Sequence, residues 1–499
     1  MGLQIDRDQF DDAEYAFFAA RLEECLQALR EMLQTPGFGA GPPTLGAELE
    51  LSLIDAAGRP LPQNLAVLRE TMDPRLTVEL DRFNLECNLR YAPLEGRPFT
   101  ALANEMHDAL AEVRRAARTR DADVALIGIL PTLRASDLQG EAMTDTPRFR
   151  ALSAALARLR HEPFLVDIDG QDPLEITTDH VTFEGANTSL QIHLRVPPDE
   201  FARTYNAIQL ATAPALAAAG NSPTFLGHRL WEETRVALFK QSIDVRRSSE
   251  RLGGGREARV SFGSGWVRES AFELFADNVK LHEPLLPVLS DELPLDCLRS
   301  GRLPRLEELR LHQGTVWCWN RGIYDPDESG HLRIEMRALP AGPTVADMVA
   351  STAFLVGLGL GLAAEADALI PSFPFERAHH SFYRAAQQGL DARLFWPPEP
   401  GAEPVEVDAR ELIERLLPCA RRGLDMAGVD PDESAPLLDC VAERTQRHRT
   451  GARWQRLLLN ALLESRDRDD ALATMFRLYR EASEGGEPVS RWPEPTSLA

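Results

Sequence analysis

The segment "TLGAELELSL" at 44–53 sets two glutamates, Glu48 and Glu50, in a run that otherwise reads as a buried strand. Side chains alternate across a strand, so Glu48, Glu50 and Ser52 share one face while Leu49, Leu51 and Leu53 take the other. The two carboxylates then stand on the order of 7 Å apart. Like charges held that close raise each other's pKa, and burying them costs on the order of several kcal/mol each unless a cation or donor compensates. A divalent metal would compensate; a solvated sheet face, which shows the same alternation, would need none.

Other segments carry the same pattern. In "VELDRFNLECNLRY" (78–91), Leu85, Cys87 and Leu89 oppose Asn84, Glu86, Asn88 and Arg90, with Glu79 seven residues before Glu86. In "NTSLQIHLRV" (187–196), Ser189, Gln191, His193 and Arg195 fall together, which makes His193 a candidate imidazole ligand. "HLRIEMRALP" (331–340) sets Arg333, Glu335 and Arg337 against Leu332, Ile334, Met336 and Ala338. Hard oxygen ligands with one imidazole suit Mg²⁺ or Mn²⁺, and neighbouring arginines suit the phosphate oxygens such metals bridge. That combination points to an ATP-using enzyme.

These side chains need strands to hold them. Alternation predicts short strands at 46–54, 76–80, 84–90, 187–196, 314–319 and 331–338, of the kind that pair antiparallel. Helical spacing predicts helices at 12–34, 97–119, 148–160, 199–219, 268–281 and 344–366, the last opened by Thr344 with Asp347 three residues on. The glycine-rich "ERLGGGREARVSFGSGW" (250–266) lacks the GK[ST] of a phosphate loop and reads as a flexible loop or lid. Three regions are expected: a helical extension at 1–43, a catalytic domain at 44–400, and a helical region at 401–499 packed on it.

Composition narrows the partners. The chain has 499 residues, 44% of them hydrophobic, enough for a large core. With 77 acidic against 54 basic residues the formal charge is −23, which disfavours nucleic acid and anionic membrane as partners. Six cysteines lie far apart with no CxxC pair, fitting reduced thiols in a cytoplasmic protein. "MVASTAFLVGLGLGLAA" (348–364) is near the lower length limit for a membrane span, but its flanking Asp347, Glu365 and Asp367 favour a buried helix.

The chain resembles the glutamate–cysteine ligase family of the second type, carboxylate–amine ligases with a glutamine-synthetase-like fold. The resemblance is carried by "GAELE", "VELDRFNLE", "IGILPTLR", "TSLQIHL", "NSPTFLGHRLWEETRVALF", "LRLHQGTVWCWNR", "RIEMRALPAGPTVADMVA" and "TGARWQ". It implies an α+β fold in which a curved antiparallel sheet forms a funnel, packed by helices and followed by a helical C-terminal tail. It also implies that metal-bound ATP phosphorylates the γ-carboxylate of L-glutamate and that an amine, L-cysteine in the first instance, attacks the acyl phosphate.

The resemblance distributes the residues as follows. Glu48, His193 and Glu335 would share one metal, and Glu50, Glu79 and Glu86 another. Arg337 would steady the transferred phosphoryl group, with Gln191 as a further nucleotide contact. Arg235 and Lys240 in "WEETRVALFKQ" are additional phosphate or substrate candidates. The chain departs from the family pattern at Asp81, where glycine is usual, and at Met336, where asparagine is common. Another amine acceptor, or a member that binds nucleotide or metal without turnover, stays open at this stage. So does self-association, for which the tail at 405–480 is a candidate interface.

Overall fold

In a computed structural model of the chain, residues 5–160, 162–247 and 257–499 are described. The main sheet is antiparallel and gathers β1 (Thr44–Ile54), β2 (Leu76–Val78), β3 (Asn84–Pro93), β4 (Asp123–Ala125), β7 (Leu190–Arg195), β10 (Asn320–Asp325) and β11 (His331–Met336). Two hairpins, β5 (Phe164–Ile168) with β6 (Leu174–Thr178) and β8 (Thr224–Phe225) with β9 (His228–Arg229), fall between β4 and β10 in the chain. A third, β12 (Arg393–Trp396) with β13 (Val405–Asp408), follows β11.

The expected funnel is not there. The strand order runs β10-β11-β7-β1-β3-β2, with β4 alongside the end of β1, and no pairing joins the edge strands β10 and β2. The sheet is open, one of several in a mixed α+β architecture. Its edges are finished by other means: Tyr205 Oη donates to the Asn320 carbonyl at 2.9 Å on one side, and Leu80, just past the three-residue β2, accepts from Thr144 N at 2.7 Å on the other. Closure would need strands long enough to tilt and keep pairing around a ring, and β2 is too short for that.

Helices cover the apolar side of the sheet. Leu49, Leu51 and Leu53 of β1 are fully buried, and helix Pro98–Arg118 packs on β3 and β1. Helix Val345–Ala363 is long and apolar enough to cross a membrane, but 89% of its most apolar window is buried among helices Phe201–Ala219, Ala409–Met426 and Pro431–Gln446. Its start is set as the sequence predicts: Thr344 Oγ1 accepts from Asp347 N at 3.1 Å and donates to Asp347 Oδ2 at 2.8 Å. Helices Gly451–Leu462 and Arg468–Glu484 share a second hydrophobic cluster with β5, β6 and the segment around Ile127–Leu133.

Two local expectations need correction or restriction. The segment 314–319 is not a strand; helix Glu307–Gln313 ends there, and pairing begins only at Asn320. Of the glycine-rich segment 250–266, residues 250–256 lie outside the described residues. The described remainder is irregular, and Arg259 and Ser261 carbonyls accept from Trp317 N and Trp319 N.

Candidate active site

Register, more than alternation alone, builds the site. Glu335 on β11 stands opposite His193 on β7, Gln191 on β7 opposite Glu48 on β1, and Glu50 on β1 opposite Glu86 on β3, which in turn faces Thr77 on β2. Four central strands and their neighbour thus send polar side chains to one face in adjacent rows. That face lines a cavity of about 260 Å³ that contains all six predicted metal ligands together with Gln191 and Arg337. A larger cavity of about 430 Å³ between helices Pro98–Arg118 and Val345–Ala363 shares no residue with it and holds no such cluster.

Within the cavity the acids form two groups. One ligand atom each from Glu48, His193 and Glu335 lie within 4.8 Å of one another, and the same holds for Glu50, Glu79 and Glu86. His193 Nε2 is 3.3 Å from Glu48 Oε1 and 4.0 Å from Glu335 Oε1. Beyond these carboxylate contacts neither buried nitrogen of His193 has a hydrogen-bond partner among the described residues.

The second group is a concentration of like charge. Burial, reinforced by Glu86, Glu50 and Glu184, pushes Glu79 well above the carboxylate range. Burial and the nearby Glu48 push Glu86 up to about 7. Burial also raises Glu50, against the pull of Arg337, although both its oxygens are engaged: Ser189 N and Oγ donate to Oε2 at 2.6 and 3.0 Å, and Gln191 Nε2 to Oε1 at 2.7 Å. Buried carboxylates that titrate high for want of positive charge are a fitting donor set for a hard divalent cation, which would restore them to the ionised form.

Glu335 is in the opposite state. Burial acts to raise its pKa, but Arg321 and Arg337 outweigh it and hold the carboxyl well below the usual range. Arg321 Nη2 donates to Glu335 Oε1 at 2.9 Å and its Nε donates to Oε2, while Arg337 Nη1 donates to Oε1 at 3.0 Å. Three of roughly four acceptor positions are therefore taken, which leaves room for one more cation at most. Arg337 Nη1 also donates to Gln191 Oε1, so Gln191 links Arg337 to Glu50.

The other predicted residues behave differently. Arg235 borders a small niche beside the main cavity and is buried in an ion pair, Nε to Glu233 Oε1 at 2.8 Å, with Nη2 on the Ala338 carbonyl at 2.7 Å. Lys240 does not line the cavity; its Nζ donates to Tyr383 Oη at 3.0 Å and lies 4.8 Å from that ring's centroid. Arg321, Arg148 and Glu184 line the cavity and were not singled out from sequence. Asp81, at the position of family departure, is fully buried against Gly185, its carboxylate oxygens without hydrogen-bond partners and its pKa raised by burial and Glu184.

Residues 44–254 match the model of Glutamate-cysteine ligase family 2 (GCS2). The match covers less than half of the chain. The family 2 region supplies Glu48, Glu50, Glu79, Glu86 and His193, while Arg321, Glu335 and Arg337 come from strands beyond it. No curated protein matches the chain. Among solved structures, a glutamate–cysteine ligase from Francisella tularensis in complex with AMP is 10% identical, with a TM-score of 0.52, covering 92% of this chain and 91% of that one. A bifunctional glutathione synthetase from Pasteurella multocida is 11% identical, with a TM-score of 0.48, covering 97% of this chain and 53% of that one. The first likeness is one of fold; the match to the family 2 model over residues 44–254 is the observation that points towards ligase chemistry.

Proposed function

We propose that the chain is an ATP-dependent carboxylate–amine ligase that joins the γ-carboxylate of L-glutamate to L-cysteine through γ-glutamyl phosphate, releasing γ-glutamylcysteine, ADP and phosphate. The observation that carries this reading is the meeting of two three-residue acidic groups with Arg337 and Arg321 in one cavity, largely within the family 2 region. The AMP bound by the structure of like fold from Francisella tularensis supports a nucleotide as the second substrate.

In this reading Glu48, His193 and Glu335 hold one Mg²⁺ and Glu50, Glu79 and Glu86 another, with Mn²⁺ as the alternative ion. The bound ions would offset the charge of the phosphate oxygens. Arg337, fixed by Glu335 and Gln191, presents its guanidinium to the phosphoryl group without having to reorganise. Gln191 positions Arg337 and Glu50 together. Arg235, spent on Glu233 and Ala338, acts as a fixed charge on the wall of the niche.

The test is a screen of acceptors with purified protein, ATP, Mg²⁺ and L-glutamate, read by ADP release and product mass. Cysteine should give γ-glutamylcysteine. A product with some other amine would redirect the acceptor, and ADP release with none of them would sink the ligase reading.

A further inference from the structure

A niche of about 30 Å³ adjoins the Glu50–Glu79 pair, its polar wall completed by Asn84, Glu184 and Asn187. A space of that size holds one group as large as a water molecule. Its walls hold several acceptors that lack donors, together with one donor that lacks an acceptor, Trp319 Nε1. Asn84 is only 2% exposed, yet its Oδ1 has no hydrogen-bond partner. Asn187 donates through Nδ2 to the carbonyls of Phe183 and Glu184 at 3.3 and 2.7 Å, which fixes the amide and leaves its buried Oδ1 also without a partner. Among the described residues the Glu184 carboxylate has no hydrogen bond or ion pair, and it sits where burial and the negative charge of Glu50 and Glu79 outweigh the pull of Arg337. The nearest arginines direct donors elsewhere, Arg235 to Glu233 and Ala338, and Arg337 to Gln191 and Glu335.

A buried acceptor without a donor is costly, and the two amides repeat that cost around one small space, with the Glu184 carboxylate beside them. The missing occupant should be positive and should bring several N–H or O–H donors. A primary ammonium carries three, one for each of Glu184, Asn84 and Asn187. On the carboxylate–amine ligase reading above, on which this inference rests, every turnover brings such a group to the site. We propose that Glu184, Asn84 and Asn187 form the receptor for a substrate's primary ammonium group, either that of the acceptor amine or the α-ammonium of the carboxylate donor.

The experiment compares wild type with Glu184→Gln, and with Asn84→Leu as a second variant, in the presence of ATP and Mg²⁺. KM should rise about tenfold or more for one ammonium-bearing substrate, with KM for ATP within about twofold of wild type. A rise for the amine assigns the niche to the acceptor. A rise for glutamate that is absent for glutarate, which lacks the α-amino group, assigns it to the donor. Unchanged KM for both overturns the proposal. A second readout does not depend on turnover: methylammonium should raise the thermal midpoint of wild type with ADP and Mg²⁺, tetramethylammonium at equal ionic strength should not, and Glu184→Gln should abolish the difference. If wild type turns over no substrate but this difference is present, the ligase reading fails while the receptor stands. If Glu184→Gln lowers the number of bound Mn²⁺ by one, the niche is a metal site and the proposal is wrong.

Discussion

His193 is the residue on which the two acidic groups depend for asymmetry. Its ring is buried between Glu48 and Glu335 with no polar partner beyond those two carboxylates among the described residues, so the first group can take a cation through imidazole and carboxylate while the second offers oxygen alone. Mg²⁺ or Mn²⁺ should therefore stabilise the wild-type fold by mass action, about 2.7 kcal/mol at a hundredfold excess over Kd. Glu48→Ala should lose the part of that shift that its own site contributes, and all turnover, while keeping its far-ultraviolet circular dichroism. A variant with full activity, or with an undiminished metal-induced shift, would remove Glu48 from the metal site. Most of these residues were legible because a period of two is a strong signal wherever leucines mark the other face, as they do around Glu48, Glu86, His193 and Glu335. Glu184 was not, since it follows the single turn Val181–Phe183, where no repeat exists to assign a face.

At the scale of elements, the strand that carries Arg321 shows why a pattern can be missed. Gly322 and Ile323 interrupt the alternation in "NRGIYD", whereas "GTVWCW" just before it is apolar enough to look like a strand; pairing to β11 decides in favour of the former. Glycines give the opposite case. Helices Val345–Ala363 and Ala409–Met426 approach so closely that a Cβ on Gly423 would lie 2.0 Å from the Gly357 carbonyl oxygen, and one on Gly361 2.3 Å from the Cys419 carbonyl oxygen. Glycine normally weakens a helix by about 1 kcal/mol relative to alanine. Gly423→Ala should nonetheless lower the melting temperature, because the methyl group must push backbone aside. A neutral or stabilising result in a thermal melt would mean that the helices are not in this contact.

On the scale of the whole molecule, the C-terminal helices are tied to helix Val345–Ala363 by buried charge. Arg444 of helix Pro431–Gln446 pairs with Asp347 at 2.9 Å and also donates to the Ala218 carbonyl and to Ser351 Oγ, each at 2.9 Å. Both partners of the pair are almost fully buried. Removing one side of such a pair typically costs about 3–5 kcal/mol. Arg444→Met should show a loss of that size in urea denaturation, and adding Asp347→Asn should recover part of it. A loss below about 1 kcal/mol would show that packing, and not this pair, holds the helices together.

The sequence by itself set Glu48, Glu50, Glu86, His193, Glu335 and Arg337 on polar strand faces, because a strand with one buried face leaves no other place for them, while Glu79 and the grouping of these residues around cations rested on the family resemblance. It also determined the main helices and the capped start at Thr344. Only the tertiary structure decided that the sheet stays open, that Arg321 shares Glu335 with Arg337, that Lys240 turns to Tyr383, and that Glu184 borders a niche of unpaired acceptors. Those outcomes depend on register and on contacts between distant segments, and a local repeat carries no information about which strand will lie beside which.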